Sequence, residues 1–477
     1  MLFNSYPFIL LFLPITLCVY YAVGRSGNTR YSKAVLLLFS YVFLAFANPL
    51  SPLILFFSTV CNYFLNEWIR TARSKARHIA ALGIVFNVML LACFKYSKLL
   101  IVGISHAFRL YLAPLQILLP VGISFYTFQQ IAFLVDNCRG EIPTYGFLDY
   151  FLFNAYFPKV IQGPIPYHTE LLPQFNDPAR LRFDASRFSS GLMLFAMGLA
   201  KKVLLADNFG KIVDFGFGHI PTLNSFEAAL VVFGYTLQIY FDFSGYCNMA
   251  LGVSRMLNLD LPLNFNSPYK ALNINDFWKR WHITLTRFLT KYIYIPLGGN
   301  RKGKLKTYLN ILIVFLVSGI WHGTGLPFLV WGALHGIASI LYRLTAKLYD
   351  RIPKLLQCCV TFLFVTFAWI FFRAGSLSDA IALLGRLFSG GFGVNAELTE
   401  TMLQPTIINV FTQFLPFSAV MILLFGLVLL GIVLLPNSTE RAENFRPSVP
   451  AWIFTYVLLT VSILSISGVS TFLYSNF

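Results

Sequence analysis

Charged residues are scarce in this sequence. Asp, Glu, Lys and Arg make up 12% of its 477 residues, whereas a soluble globular domain carries about 25%. Hydrophobic residues reach 57%, which excludes a disordered chain and argues against a soluble enzyme. The apolar segments are long and uniform, unlike the alternating strands of ~10 residues in a membrane β-barrel. The composition therefore predicts an all-α polytopic membrane protein.

Long stretches lack Asp, Glu, Lys and Arg altogether, and a spanning helix needs about 20 apolar residues. The longest of these stretches could hold two helices each, because each contains a proline or a glycine-rich break. Weaker spans are predicted within 79–102, 148–166, 188–206 and 226–250. The pattern indicates about 11 to 13 membrane segments, some of them re-entrant, in a single domain over residues 1–477. The uncharged stretches are 1–24, 34–66, 110–135, 307–342, 355–372, 401–439 and 447–477.

Positive charge dominates, with 36 Lys and Arg against 19 Asp and Glu and a net charge of +17. The basic groups follow membrane spans, which is typical of cytoplasmic loops and does not require a nucleic-acid partner. The orientation follows from the charges in three connections. Basic residues follow the first span (Arg25 and Arg30), acidic residues lie in a predicted outer loop (Glu397 and Glu400), and Arg441 lies in a predicted inner loop. Both termini are therefore predicted outside the cytoplasm, in a multi-pass protein of the membrane that bounds the cytoplasm.

The densest basic segment is 279–306, which holds eight Lys and Arg residues and no acidic one. A cytoplasmic loop touching anionic lipid headgroups accounts for most of these charges. Docking of an anionic cytosolic donor, such as the phosphates of a coenzyme, accounts for a few. Both interpretations remain open on the sequence.

Several common catalytic motifs are missing. The seven cysteines are scattered and form no CxxC motif, and HExxH, GxSxG, P-loop and dinucleotide-binding patterns do not occur. The sequence therefore predicts neither a metal site nor a disulfide framework, and no Ser-His-Asp triad.

His322 is the strongest candidate for chemistry. It lies near the middle of the uncharged stretch 307–342 and is flanked by Gly319 and Gly323. A polar group kept at membrane depth usually faces a cavity or a partner, and glycines permit an irregular backbone there. An imidazole, with an ordinary pKa near 6.5, is readily tuned as a base. The alternative is a buried structural histidine.

Four other polar positions are weaker candidates. His282 sits among basic residues, which favours an interfacial or re-entrant position. His335 is interpreted as a residue that packs helices or supports a site residue from behind. Asp242 is a charge inside an apolar stretch, where it is either a functional group or a buried partner that fixes helix packing. Asn300 follows two glycines and is either a turn residue or part of a donor site.

The chain resembles the membrane-bound O-acyltransferases, specifically the bacterial branch that acetylates alginate. The resemblance covers nearly the whole chain, with core motifs over 119–380, and its most specific part is the pair of Trp-His motifs separated by YIPLGGNRKG. The resemblance implies that His322 is the hallmark histidine and His282 the second functional one. The matching blocks are LPVGISFYTFQQIAFLVDNCRG, FPKVIQGPI, GLAKKVLLADNF, QIYFDFSGYCNMALG, FWKRWHITLTRFLTKYIYIPLGGNRKG, SGIWHGTGLPFLVWGALHG and FAWIFFRAGSLSDA.

The resemblance also implies a fold and a site. The helices would be tilted and form a ring around a central tunnel, in which funnels from both faces of the membrane meet. His322 would be the general base and His282 would assist it. Trp321, Trp281, Asn300 and Asp242 would be supporting tunnel residues.

The implied reaction moves an acyl group from a thioester to a hydroxyl group. Acetyl-CoA is the expected donor, an extracytoplasmic polysaccharide or peptidoglycan the acceptor, and no cofactor or metal stays bound. A periplasmic or membrane-anchored SGNH or esterase-like acyltransferase is the expected partner. The terminal segment 472–477 resembles the aromatic motif of this branch, which makes Tyr474 a candidate acyl relay, although Ser475 departs from the pattern. The alternatives are D-alanyl transfer to teichoic acid, a transporter or flippase, and a non-catalytic scaffold.

Overall fold

The structure, a computed structural model, describes residues 1–108, 119–403, 412–466 and 470–473. These residues form helices and their connections, and they contain no strand beyond one isolated antiparallel bridge between Phe265 and Trp281. The prediction of an all-α polytopic membrane protein is confirmed. The ring of helices around a tunnel remains a prediction, as does the number of membrane segments.

The helices are numbered here in chain order. The first nine are α1 (Phe8–Gly24), α2 (Thr29–Ala47), α3 (Ser51–Thr71), α4 (Arg73–Lys95), α5 (Ser97–Phe108), α6 (Ile123–Cys138), α7 (Phe147–Ala155), α8 (Phe157–Val160) and α9 (His168–Phe175). Further along follow α10 (Ala185–Gly218), α11 (Ser225–Met256), α12 (Ile274–Arg280), α13 (Ile283–Leu289), α14 (Lys304–His322), α15 (Leu326–Tyr349), α16 (Lys354–Arg373), α17 (Leu377–Arg386), α18 (Ala396–Leu403), α19 (Phe417–Leu434), α20 (Ser438–Glu443) and α21 (Val449–Leu464). Short turns of 3-10 helix cover Pro178–Leu181, Ile220–Thr222 and Pro268–Lys270, and a π-helical turn covers Thr290–Tyr294.

Seven helices of the described chain are long and apolar enough to cross a membrane. They are α2, α4, α10, α14, α15, α16 and α19, and α1 and α21 are shorter apolar helices. The breaks predicted within the long uncharged stretches are confirmed at three places. One lies between α2 and α3, where Pro52 enters the first turn of the new helix. Another lies between His322 and Leu326, and the third is at Pro416, directly before α19.

The weaker span predicted over 148–166 is wrong. The helix stops at Ala155, because the backbone of Tyr156 leaves the helical region (φ −46°, ψ 110°). Pro158 then lies in the first turn of α8, which has only four residues. The Tyr156 hydroxyl hydrogen-bonds the Ser254 hydroxyl at 2.9 Å. A hydrogen bond to a residue far away in the sequence therefore accompanies the helix break at Tyr156, which the apolar composition of 148–166 did not indicate.

The chain divides into two compact units. The first comprises Met1–Leu199, Tyr246–Leu263 and Ala442–Phe477, and the second comprises Ala200–Gly245 and Asn264–Arg441. In the first unit, a buried amide network joins α3, α4 and α6. The Asn62 side chain donates to Asn87 Oδ1 at 3.1 Å and to Gln130 Oε1 at 2.9 Å. The network gives these buried amides the partners that an apolar interior otherwise denies them.

The second unit is organised around the hairpin of α14 and α15, against which α16 packs. The two helices of the hairpin approach closely because a glycine of each helix faces the backbone of the other helix. A Cβ added to Gly319 would lie 2.4 Å from the Phe328 carbonyl oxygen, and one added to Gly332 would lie 2.5 Å from that of Phe315. Small residues allow this kind of backbone approach in membrane helix pairs. The hairpin places the end of α14, and with it His322, against α15.

Candidate functional site

His322 is the last residue of α14 and is buried. Its Nδ1 lies 2.7 Å from the backbone carbonyl oxygen of Ser318, one turn earlier. A carbonyl oxygen only accepts hydrogen bonds, so this contact places the proton of the neutral ring on Nδ1. The lone pair of the neutral imidazole is then on Nε2, which is the atom a general base would use.

Aromatic rings of the described chain pack around His322. Its ring centroid lies 4.7 Å from that of Trp321, 5.0 Å from that of Trp331 and 5.1 Å from that of Phe372. Directly after it, Gly323 has extended backbone, and a Cβ there would lie 2.1 Å from a ring carbon of Phe328. The glycine break predicted from the sequence therefore ends α14 at the histidine and fits an aromatic ring against the turn.

His282 lies at the junction of two short helices, α12 and α13. Its backbone is left-handed (φ 44°, ψ 51°), which is uncommon for a residue other than glycine, asparagine or aspartate. The side chain is fully buried and packs edge-on against Phe243 at 4.8 Å. The interruption between α12 and α13 suits a re-entrant segment, and the complete burial in the protein differs from a simple interfacial histidine.

The structure brings the two sequence-predicted histidines to the same residue, Trp321. The centroid of the Trp321 ring is 4.7 Å from that of His322 and 6.3 Å from that of His282. Aromatic pairs interact over centroid distances of about 4.5–7 Å. The indole therefore lies in contact with both imidazoles, and the two Trp-His motifs meet in space although 40 residues separate them in the chain.

Asp242 is held in a buried ion pair. Its Oδ1 accepts a hydrogen bond from Lys202 Nζ at 2.8 Å, and Lys202 also lies 2.8 Å from Asp207. Lys202 and Asp242 are each 2% exposed at the side chain. The ion pair joins α10 to α11. Asp242 directly precedes Phe243, whose ring contacts His282. The sequence left two explanations for Asp242, a functional group or a buried partner that fixes helix packing. The ion pair with Lys202 fits the second explanation.

The family-model comparison decides the classification. Residues 128–377 match the model of the membrane-bound O-acyltransferase family. The chain belongs to this family. The resemblance stated from the sequence is thereby confirmed, and so is the prediction of an acyltransferase. Family members use acyl donors, and this classification favours an enzyme over a transporter or a scaffold.

Two of the relatives can be aligned with most of this acyltransferase, and a third with about half of it. It is 37% identical to a peptidoglycan O-acetyltransferase of Helicobacter pylori, over 100% of this chain and 98% of the relative. It is 36% identical to a probable alginate O-acetylase AlgI of Pseudomonas aeruginosa, over 84% of this chain and 78% of the relative. A teichoic acid D-alanyltransferase of Bacillus subtilis is 25% identical over 53% of this chain.

The remaining sequence-predicted residues of the acyltransferase occupy different environments. Trp281 is buried in an aromatic cluster with Phe277 and Trp369. Asn300 is exposed in the turn that precedes α14. Tyr474, the candidate relay, lies outside the described residues. Its neighbour Phe472 is buried in the first unit, edge-on to Tyr246 at 5.0 Å.

Some residues of the acyltransferase site were not found from the sequence. The buried Asn310 donates from Nδ2 to the Gly299 carbonyl oxygen at 2.9 Å, so it anchors the YIPLGGNRKG loop in place of Asn300. Ser318 and Phe372 contact His322 and lie in two of the matching blocks, but the sequence assigned no role to either residue. The available signal was position, because Ser318 is one helical turn before His322 and Phe372 lies in the matching block FAWIFFRAGSLSDA.

The described residues contain no group of three or more His, Cys, Asp or Glu side chains that could hold a metal ion.

Proposed function

We propose that this acyltransferase moves an acetyl group from a cytosolic thioester, acetyl-CoA, to a hydroxyl group of an extracytoplasmic polysaccharide. The observation that supports this most directly is the tautomer of His322. Its Nδ1 hydrogen is engaged by the Ser318 carbonyl, which leaves the Nε2 lone pair as the proton acceptor. Positioned general bases of this kind contribute about 10²–10⁴-fold to a rate.

Peptidoglycan is the favoured acceptor. The peptidoglycan O-acetyltransferase relative matches this chain end to end, whereas the alginate O-acetylase relatives match 84% of it. Alginate and other envelope glycans are the next candidates. All of them present a sugar hydroxyl, which is a weak nucleophile until a base takes its proton.

The step balances without any further reactant. The attacking hydroxyl oxygen forms a bond to the thioester carbonyl carbon, and its proton passes to His322 Nε2. The carbon–sulfur bond then breaks, and the proton on His322 passes to the departing thiolate. The products are an O-acetyl ester and a free thiol.

His282 is assigned an assisting role in the same reaction. Its left-handed backbone costs on the order of 1–3 kcal/mol, and strain of this size is characteristic of functional positions. Through Trp321 it lies beside His322. We assign Trp321 and Trp281 to the wall of the predicted tunnel, and Asp242 to its support through Lys202.

The donor is proposed to dock on the basic segment 279–306. Arg301, Lys302, Lys304 and Lys306 are all exposed at the start of α14. Clustered basic side chains suit the phosphates of a coenzyme. Asn300 lies next to this cluster, which is consistent with a minor role in donor binding.

Tyr474 is proposed to carry the acetyl group outward, and an SGNH or esterase-like partner is proposed to complete the transfer. The predicted orientation puts the C-terminal segment outside the cytoplasm, where such a relay is needed. Mass spectrometry of the protein purified after incubation with acetyl-CoA should detect acetylated Tyr474. An unmodified tyrosine during active turnover would remove the relay and leave the acyl transfer itself in place.

Glycan analysis of cells tests the proposed function. Peptidoglycan purified from cells with the protein should release acetate on mild alkaline treatment, and peptidoglycan from cells without it should release far less. Unchanged acetate in every envelope glycan would contradict the proposal. Loss of esterified D-alanine with unchanged acetate would instead favour D-alanyl transfer to teichoic acid.

A further inference from the structure

Two buried N–H groups lie on one face of α15, the helix that follows His322. Trp331 and His335 are 1% and 0% exposed and lie four residues apart, which puts them one above the other on the helix. Within the described chain, Trp331 Nε1 and His335 Nε2 have no hydrogen-bond partner. A buried donor without an acceptor costs about 1–3 kcal/mol. Such a pair suggests an acceptor that is bound from outside the protein.

The tautomer of His335 is set by Trp278. The indole Nε1 of Trp278 lies 3.2 Å from His335 Nδ1. An indole nitrogen only donates, so Nδ1 of His335 is the acceptor, and the neutral ring carries its proton on Nε2. His322 is in the opposite tautomer, because its Nδ1 meets a carbonyl oxygen. One histidine thus presents a lone pair, and the other presents an N–H.

Trp331 connects the two histidines. Its ring centroid lies 5.0 Å from that of His322 and 5.0 Å from that of His335. All three residues belong to the hairpin of α14 and α15, whose close glycine contacts fix the spacing. The base His322 and the donor His335 are therefore both packed against the Trp331 indole, which supplies the second N–H without a partner in the described chain.

We propose that Trp331 Nε1–H and His335 Nε2–H bind the carbonyl oxygen of the acyl group and stabilise the oxyanion that forms when the thioester is attacked. In this step the carbonyl π electrons move onto oxygen as the new carbon–oxygen bond forms. They return as the carbon–sulfur bond breaks, while His322 carries the proton from hydroxyl to sulfur. Trp278 is a positioning residue that keeps the proton of His335 on Nε2. The proposal rests on the proposed acyl transfer.

The expected size of the effect follows from oxyanion sites in general. Removing one preorganised donor costs about 10²–10³-fold in kcat. Because the charge develops only in the transition state, KM for the donor should change little. A packing role for the same side chains would instead lower folded protein and change the kinetics without this split.

The test uses the full chain in proteoliposomes, with acetyl-CoA as donor, soluble peptidoglycan fragments as acceptor and an envelope extract of cells lacking this protein as the source of the proposed partner. Trp331→Phe keeps a ring and removes the N–H, and we expect kcat to fall by about 10²–10³-fold with KM for acetyl-CoA within about threefold. His335→Leu should lower kcat to a similar extent. His335→Gln restores a donor, so its kcat should be at least about tenfold higher than that of His335→Leu. Ser339→Ala is the matched control, because Ser339 Oγ is also buried without a partner in the described chain, one turn further along α15.

The role of Trp278 is tested by a double variant. Trp278→Phe should lower kcat, because His335 can then exchange tautomers. In the His335→Gln background, which has no tautomer to fix, adding Trp278→Phe should have no further effect on kcat. Equal losses in both backgrounds would show that Trp278 acts only through packing.

The His322→Ala variant separates the two proposals. If it transfers acetyl normally, the proposed function of His322 fails. If it is inactive while Trp331→Phe and His335→Leu both retain kcat within threefold, only the oxyanion proposal is overturned. A rise in KM with unchanged kcat in those two variants would also overturn it, since the N–H groups would then bind only the ground state.

Discussion

At the scale of single residues, hydrogen-bonding direction determines what each histidine can do. A carbonyl oxygen at Nδ1 makes His322 an acceptor at Nε2, and an indole N–H at Nδ1 makes His335 a donor at Nε2. The two rings are chemically identical in the sequence. The difference comes from one neighbour each, so no composition or motif could have indicated which nitrogen of each ring carries the proton.

The sequence singled out His322, because an imidazole beside glycines near the middle of an uncharged stretch is expensive to bury, and its role as a base stays a prediction. Its surroundings were not predictable from residue patterns. Trp331 and Phe372 reach it from two other helices, and sequence spacing carries no information about such contacts. His282 was expected in an interfacial or re-entrant position, and the complete burial of its ring beside Phe243 was not part of that expectation.

Asn310 offers a prediction at this scale. Asn310→Ala removes the hydrogen bond to Gly299 and should lower the free energy of unfolding by about 0.5–1.5 kcal/mol. Thermal unfolding in detergent measures it. The matched control is Asn300→Ala, which alters an exposed side chain in the same loop and should stay within about 0.5 kcal/mol of wild type. Equal destabilisation of both variants would contradict the assignment of Asn310 as the loop anchor.

At the scale of helices, glycine positions determine how closely α14 and α15 approach. The breaks at Pro52, Pro416 and the glycines after His322 were predictable, because these residues interrupt helices by local sterics. The interruption at Tyr156 was not predicted, although Pro158 lies in the first turn of the following helix, as Pro52 does in α3. The Tyr156 hydroxyl also contacts Ser254, a residue far away in the sequence. Prolines and glycines thus indicate where a helix is interrupted, whereas the tertiary contact beside the interruption is not visible in the sequence.

Gly332 tests the helix approach. Gly332→Ala would place a Cβ 2.5 Å from the Phe315 carbonyl oxygen, so the hairpin must open. We expect a loss of about 1–3 kcal/mol in the free energy of unfolding, the usual range for overpacking. Gly426→Ala is the control, since Gly426 lies in α19 with nothing within 4 Å of an added Cβ. It should stabilise the protein by up to about 1 kcal/mol, and a similar loss in both variants would contradict a steric cause at Gly332.

At the scale of the whole molecule, composition was sufficient for the all-α membrane class, because low charge and long apolar stretches leave few alternatives. The orientation rests on the distribution of Lys and Arg. We propose that the protein lies in the inner membrane with both termini outside the cytoplasm. An accessibility tag after Phe477 should therefore react with an impermeant reagent in intact cells, and reaction only after lysis would contradict the orientation.

Charge in the connections also predicts how stability depends on pH. Burial alone raises the pKa of Asp260, but hydrogen bonds from Arg187 and Arg180 outweigh it and hold the pKa below its usual value. Arg187 Nη2 lies 2.6 Å from Asp260 Oδ1, and Arg180 Nη1 lies 2.8 Å from Asp260 Oδ2. A lowered pKa means that this stabilisation is present above the unfolded-state pKa of about 4 and is lost as the pH falls further.

Asp260→Asn should therefore lower the unfolding temperature at pH 7, and the difference from wild type should shrink below pH about 4. Thermal unfolding of both proteins across pH 3–7 measures this difference. Because Asp260 is half-exposed, the effect should be small. A difference that stays constant over the range would show that the carboxylate charge is not what stabilises this contact.

The central claim is that His322 takes the proton of the attacking hydroxyl, and one comparison tests it most directly. His322→Ala is compared with His219→Ala, since His219 also places Nδ1 against the carbonyl oxygen four residues earlier, at 3.0 Å, but lies at the end of α10. Acetyl transfer from acetyl-CoA to peptidoglycan fragments is measured at equal amounts of folded protein, with an envelope extract of cells lacking this protein as the source of the proposed partner. The account predicts a loss of at least about 10²-fold for His322→Ala and wild-type transfer for His219→Ala. Wild-type transfer by His322→Ala would contradict it.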